Sequence, residues 1–219
     1  MVNRPPLTGH PVSVKVWGPW ACFTRPEYAT ERVSYPVMTP SAAVGVLESV
    51  FWRPEFRWCP RAIDVLRPVR WAHLMRNELD DRQTFDTAQR WAKTGSGSFD
   101  ASTKRDQRHT LLLRDVAYVV HADVEVTGGS DEPAKYRDQF RRRVAKGRHF
   151  AQPYLGCREF LANIAEPDEA DEPVDLHLEL GRVLFRVERD ERGRLVEAVF
   201  AEARVVGGRL IVGDEPGGR

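Results

Sequence analysis

An α+β fold, a ferredoxin-like β-α-β-β-α-β domain with an inserted arm and a small C-terminal antiparallel β-sheet, is predicted by three features of this 219-residue chain. Apolar and polar residues alternate in several separated stretches, the periodicity of strands. Two other stretches open with proline and repeat apolar residues at helical spacing. A long polar segment interrupts the pattern near the middle of the chain. The length lies between one large domain and two small ones, enough to bury a substantial core.

Val12, Val14 and Val16 alternate with Ser13 and Lys15, so the first strand places Lys15 on the face opposite the valines. Thr39 and Pro40 offer an N-cap and an N1 proline, and Ala43, Val46, Leu47, Val50 and Phe51 follow at helical spacing, which predicts a helix over 40–52. Ile63 and Val65, then Val69, Trp71, His73 and Met75 on the far side of Pro68, read as two further strands. Residues 77–109 are polar, match six acids with six bases and contain Gly95-Ser96-Gly97-Ser98, which predicts an inserted flexible arm. The longest strand signal follows, with Val116, Tyr118, Val120, Ala122, Val124 and Val126 in alternation up to Gly128-Gly129. Pro133 then opens a second helix to Lys146 and Gly147, with Tyr136, Phe140 and Val144 as its buried stripe, and a further strand is expected after Arg148. That order is RRM-like. Beyond the acidic run Glu166 to Asp175, residues 176–188 and 195–206 read as strands, with turns at Arg192-Gly193 and Gly207-Gly208. The predicted division is therefore 1–165, an RRM-like domain with its arm at about 77–109, and 166–219, an acidic linker and C-terminal β region.

The formal net charge of +1 conceals an asymmetry. Residues 1–150 hold 24 Lys and Arg against 17 Asp and Glu, whereas residues 151–219 hold 9 against 15. The basic part also carries the aromatic motifs, so an anionic partner is expected there. Five of the 33 cations are lysines, a bias towards planar, bidentate contacts. Cys22, Cys59 and Cys157 have neither zinc nor disulfide spacing, the histidines form no metal pattern, and no phosphate-binding glycine fingerprint occurs. No cofactor or metal is expected. With no apolar run of membrane-spanning length and no secretory leader, a cytoplasmic protein without a membrane partner is expected.

Between Val16 and Trp58, rings and guanidinium groups interleave, as single-stranded nucleic acid requires: a ring stacks on a base while a cation reaches a phosphate. Trp20, Phe23, Arg25 and Arg32, with Lys15 beside them, are the candidate contacts. The competing reading is a core strand and helix with solvated arginines. The second helix carries Lys135, Arg137, Arg141, Arg142, Arg143 and Lys146, with Arg148 just beyond, against Asp138 as its one acid. Such a ridge repels itself without an anionic partner, which marks Arg137, Arg141, Arg142 and Lys146 as RNA contacts. In Gly156-Cys157-Arg158, the glycine permits close backbone approach and Arg158 can clamp a phosphate.

Four runs occur in order: W-G-x-x-A-C-F-T-R-P-E, E-R-V-S-Y-P-V-M-T-P-S-A-A, F-W-x-P-E-F-R-W and Y-L-G-C-R-E-F, the last from Tyr154 to Phe160. Together they resemble the CRISPR-associated Cas-five family in its type I-C form. The resemblance implies a subunit of the antiviral Cascade that holds the 5′ handle of crRNA and cleaves the pre-crRNA repeat. Its implied partners are the backbone and large subunits and, through the complex, target DNA. It also implies that the 77–109 arm reaches a neighbouring subunit, and that a lysine and histidine opening the second helix, with a tyrosine ending the first, perform the cut. Lys135 matches the lysine, Tyr136 stands at the histidine and Phe51 at the tyrosine. A metal-independent ribonuclease needs a base for the 2′-OH, a cation for the phosphorane and an acid for the leaving oxygen. Lys135 and Tyr136 are therefore the candidate catalytic pair, while Phe51 can neither give nor take a proton. Packing beneath the helix is the alternative for Tyr136, and His149 is a further proton carrier on the ridge. A scaffold that holds a handle cut elsewhere, or a general RNA chaperone, would use the same cationic surface.

Overall fold

A computed structural model describes residues 6–7, 11–28, 30–79, 83–100, 102, 104–128, 131–190, 192 and 194–212. Val12, Val14 and Val16 are buried on one side of strand β1 (Val12–Ala21), as alternation requires. They face helix α3 (Pro133–Ala145), whose buried stripe is Tyr136, Phe140 and Val144. Helix α1 (Pro40–Val50) lies beside it and starts where predicted: the Thr39 hydroxyl accepts from the Ala42 amide at 3.3 Å and Pro40 occupies the first turn. Strand β5 (Arg105–Val126) is 22 residues long, and β3 (Phe56–Val65) pairs with its C-terminal half. With β6 (Asn163–Ala165), β7 (Leu178–Arg189), β8 (Leu195–Val206) and β9 (Arg209–Ile211), these strands form a mixed α/β fold on a curled antiparallel sheet, in the order β6-β1-β5-β3-β9-β8-β7. The short β2 (Arg32–Val33) pairs in parallel with β5. Gly129 and Gly193, expected in turns, lie outside the described residues.

Three expectations change. The segment 77–109 carries regular structure: β4 (Trp71–Leu79) continues into it and pairs with the N-terminal half of β5, from Trp71 opposite Leu113 to Leu79 opposite Arg105. Helix α2 (Phe85–Thr94) lies between them, capped by the Thr84 hydroxyl and closed by Gly95 at φ 62°, with none of its residues buried. Trp71, His73 and Met75 fall in β4 as their alternation predicts, but most of the strand is exposed, and beyond Met75 neither β4 nor its partner has a core face whose hydrophobic alternation would reveal the pairing. Strand β3 begins at Phe56, seven residues before its alternation becomes visible, because Pro60 sits at a bulge that breaks the period. The C-terminal strands do not form a separate sheet, since β9 pairs with β3 and continues the main one. The acidic run straps the junction: Asp171 pairs with Lys15, and the Val174 amide donates to the Val65 carbonyl at 2.9 Å.

On the face of the sheet away from the helices, a polar row crosses four strands. The Ser13 hydroxyl meets His121 Nδ1 at 2.7 Å, and His121 Nε2 lies 3.1 Å from Asp64. Arg209 donates two hydrogen bonds to Asp64, at 2.5 and 2.6 Å. A carboxylate only accepts, so Nε2 carries the proton and, in the neutral ring, Nδ1 accepts from Ser13.

Gly156 adopts φ 84° where the chain crosses the end of β1, and a Cβ there would overlap the Cys22 carbonyl. Gly156→Ala is expected to destabilise by about 2–5 kcal/mol, combining left-handed strain with steric overlap. The denaturation midpoint would show it, and an unchanged midpoint would mean that the crossing is not tight.

Candidate nucleic-acid interface

The end of α1, the start of β3 and the start of α3 converge on one aromatic cluster. Phe56 lies 5.4 Å from Phe51 and 4.7 Å from Tyr136 between ring centroids, and Trp58 stands edge-on to Phe56 and Phe140. The Trp58 indole donates to the Phe51 carbonyl at 2.8 Å and fixes the turn. Phe51 and Tyr136, the positions matched to the family's tyrosine and histidine, are thus joined through Phe56 although 85 residues apart in the chain, and Lys135 is the exposed neighbour of Tyr136 on α3. Lys135 is exposed, its ammonium 2.8 Å from Asp131. Hydrogen bonding and charge from Asp131 raise the Lys135 pKa above its ordinary value. Tyr136 is only 5% exposed, and its hydroxyl donates to Asp131 at 3.2 Å. Desolvation and the Asp131 charge raise its pKa as well, so it keeps its proton through the neutral range. Tyr136 is thus a stripe residue by its ring, and the same residue reaches the surface through its hydroxyl. Phe51 is buried with the Arg143 guanidinium 5.2 Å from its ring centroid.

At the other end of α3, Arg142, Arg143, Lys146, Arg148 and His149 line an open cavity of about 730 Å³. Cations belong at a helix C-terminus, where the exposed carbonyls carry partial negative charge. Arg143 also donates to the Val50 carbonyl at 3.0 Å, closing the end of α1. Lys135 and Lys146 are separated by about 16 Å along the helix, at 1.5 Å per residue. His149 therefore does not join Lys135. The cations of α3 therefore cluster at its C-terminal end, while Lys135 stands apart at its first turn.

The remaining sequence-predicted contacts divide. Trp20 is exposed on β1 and Arg158 is exposed beside Gly156. Phe23 is 3% exposed and packs edge-on to Tyr118 at 5.9 Å, so the expectation of a free stacking ring is corrected: it belongs to the core. Lys15 is engaged by Asp171 and Asp168. Arg25 lies over the Tyr35 ring at 4.4 Å. Arg32 pairs with Glu159 at 3.0 Å and Glu78 at 3.5 Å, in a network that includes Arg76 at the root of the β4–β5 ribbon. Arg137 reaches Asp123 at 3.4 Å and Arg141 reaches Asp138 at 3.0 Å. Two residues escaped sequence reasoning. Asp131 holds both Lys135 and Tyr136, and its i, i+4 spacing to Lys135 was the available signal. Trp52 is 53% exposed at the end of α1, in a motif read only as a unit.

The family described as CRISPR-associated protein (Cas_Cas5), in its Cas5d form, matches residues 12–208. A protein of Thermus thermophilus named CRISPR pre-crRNA endoribonuclease Cas5d is 46% identical over 175 residues, covering 80% of this chain and 72% of that one. One of the same name from Mannheimia succiniciproducens is 40% identical over 167 residues, covering 73% and 74%. Among solved structures, a CRISPR-associated protein superposes with a TM-score of 0.66 at 17% identity over 96% of both chains. The functionally uncharacterized protein SMU1763c from Streptococcus mutans gives 0.62 at 17% identity, over 94% of this chain and 93% of its own. These two likenesses concern the fold. The family match spans nearly the whole described chain, and two relatives exceed 40% or equal it in identity: the chain belongs to the CRISPR-associated Cas5d family.

Proposed function

We propose that this chain binds the repeat-derived 5′ handle of crRNA as a type I-C Cascade subunit and cleaves pre-crRNA without a metal. The observation that carries the reading is the exposed Lys135 ammonium at the first turn of α3, next in sequence to Tyr136 of the Phe51–Phe56–Tyr136 cluster, in a chain 46% identical to a protein named CRISPR pre-crRNA endoribonuclease Cas5d. In the reaction the 2′-hydroxyl gives its proton to water as its oxygen attacks the adjacent phosphorus, the bond from phosphorus to the 5′-oxygen breaks, and that oxygen takes a proton from water, leaving a 2′,3′-cyclic phosphate and a 5′-hydroxyl. Lys135 stays protonated and acts as a fixed cation for the phosphorane. Tyr136 orients that cation through Asp131 and contributes a hydroxyl proton only as a hydrogen-bond donor.

The core of the sheet is ferredoxin-like in this proposal. With the two-residue β2 left out and β4 and α2 set aside as an insertion, the order β1-α1-β3-β5-α3-β6 and the sheet segment β6-β1-β5-β3, which reads 4-1-3-2, support a β-α-β-β-α-β core. The β4–β5 ribbon then serves as the arm towards a neighbouring backbone subunit. The large subunit, and target DNA through the complex, complete the partners. The three free cysteines suit the reducing cytoplasm.

Incubation of the purified protein with its repeat RNA in EDTA, beside RNA carrying a 2′-deoxy substitution at the scissile nucleotide, tests the reading. A single cut that survives EDTA and disappears with the deoxy substrate is expected. Tight binding without a cut would leave a handle-holding scaffold. Loss of charge at the far end of the ridge is a separate test. The Arg142→Ala, Lys146→Ala double variant is expected to weaken repeat binding and to reduce the slope of log K against log salt by about 1.4, at about 0.7 per phosphate contact. An unchanged slope would remove this end of α3 from the interface.

A further inference from the structure

A second cleft, of about 770 Å³, opens between the outer face of α1, strand β7 and the crossing at Gly156. Trp52 and Tyr154 line it, 53% and 36% exposed, and Leu184 and Val187 contribute apolar surface. Its volume falls in the range of small-molecule sites. Exposed rings beside apolar walls are a stacking platform for a flat heteroaromatic group. Two charged side chains line the cleft, and Arg186 is held by Glu188 at 2.5 Å. Glu48 has no hydrogen-bond or ion-pair partner among the described residues, and α1 has no basic residue in its last turn to balance it. An acid near a helix C-terminus faces the negative end of the dipole, an unfavourable placement without a ligand that donates hydrogen bonds.

With Arg186 paired to Glu188, Glu48 offers the cleft two acceptor oxygens, which suit a base that presents hydrogen-bond donors rather than a phosphate. Adenine, cytosine and uracil each set a donor next to an acceptor on the Watson–Crick edge. Guanine sets N1–H beside N2–H, and two parallel donors match two carboxylate oxygens. We propose that this cleft receives one unpaired guanine of the RNA, its ring against Trp52 and Tyr154 and its N1–H and N2–H on Glu48. The inference rests on the reading of the chain as an RNA-binding subunit and adds a base-selective contact remote from Lys135 in sequence.

The test is titration of the intact protein with guanosine, adenosine, cytidine and uridine 5′-monophosphates, followed by NMR at the tryptophan indole resonances, with Trp52→Phe assigning the Trp52 signal. Guanosine monophosphate is expected to shift that signal with at least about tenfold preference over the others, the size of one good bidentate discrimination. Glu48→Gln should lose most of the preference, and Trp52→Ala should weaken every nucleotide. Equal affinity for all four, preference for another base, no shift up to saturating nucleotide, or an unchanged preference in Glu48→Gln would each overturn the proposal. Repeat cleavage by the wild-type protein, measured in parallel, separates the two readings: cleavage without guanine selectivity refutes the cleft alone, and guanine selectivity without cleavage refutes the nuclease alone.

Discussion

Lys135→Ala is expected to lower single-turnover cleavage of the repeat by about 10²–10³-fold, the cost of removing one preorganised charge from a phosphorane or oxyanion site. Repeat affinity should change by less than about threefold, because Arg142, Lys146 and Arg148 form a separate cationic cluster at the far end of α3 and remain in place. Lys135→Arg keeps the charge and should recover part of the rate. Lys135 is exposed and its ammonium pairs with the exposed Asp131, so the variant folds and the loss is chemical. Equal losses of binding and cutting would reassign Lys135 to the handle contacts, and an unchanged rate would remove it from the reaction. Phe51 contributes a different expectation: because it lacks a hydroxyl and sits in the core, Phe51→Leu should affect stability before it affects the pH dependence of cutting.

Asp64→Ala is expected to cost about 3–5 kcal/mol of stability, the range for removing one partner of a buried ion pair. Arg209 and His121 both lose their acceptor, and the side-chain ion pair that reinforces the backbone pairing of β3 with β9 is lost. Burial acts to raise the Asp64 pKa, but hydrogen bonds and charge from Arg209 and His121 prevail and hold it below the ordinary carboxylate value. A folded pKa below the unfolded one means that the stabilisation is fully present above about pH 4. It is lost as pH falls through the folded value. The difference in melting temperature between wild type and Asp64→Asn should therefore be constant from pH 7 to about pH 5 and narrow below about pH 4. A difference that widens on acidification would mean that the carboxylate is not the charged partner.

The sequence made α1 and α3 legible because each carries its own local signals. Thr39-Pro40 and Pro133 start them, Gly147 follows α3, and Tyr136, Phe140 and Val144 mark one buried stripe. Strand β1 and the inner half of β5 were equally readable, since one face of each meets the core and hydrophobic alternation records it. The start of β4 was readable from Trp71, His73 and Met75, but the outer part of the β4–β5 ribbon was not, because exposed strands are held by backbone hydrogen bonds that any polar sequence can make. The cationic ridge of α3 was visible as composition, yet which cations remain uncommitted was not: Arg143 closes α1, Arg137 answers Asp123, and Lys15 and Arg32 are occupied by carboxylates far away in the chain.

By itself the sequence determined the family, through four ordered motifs, together with the helices, the core strands and the basic character of one face, all of which depend on near neighbours or on identity alone. The tertiary structure decided that Phe51, Phe56 and Tyr136 share one cluster, that the C-terminal strands extend the main sheet through β9, and that Trp52, Glu48 and Tyr154 line one cleft. Those outcomes depend on which strands pair and which side chains meet across long loops, and contacts of that kind leave no period in the sequence.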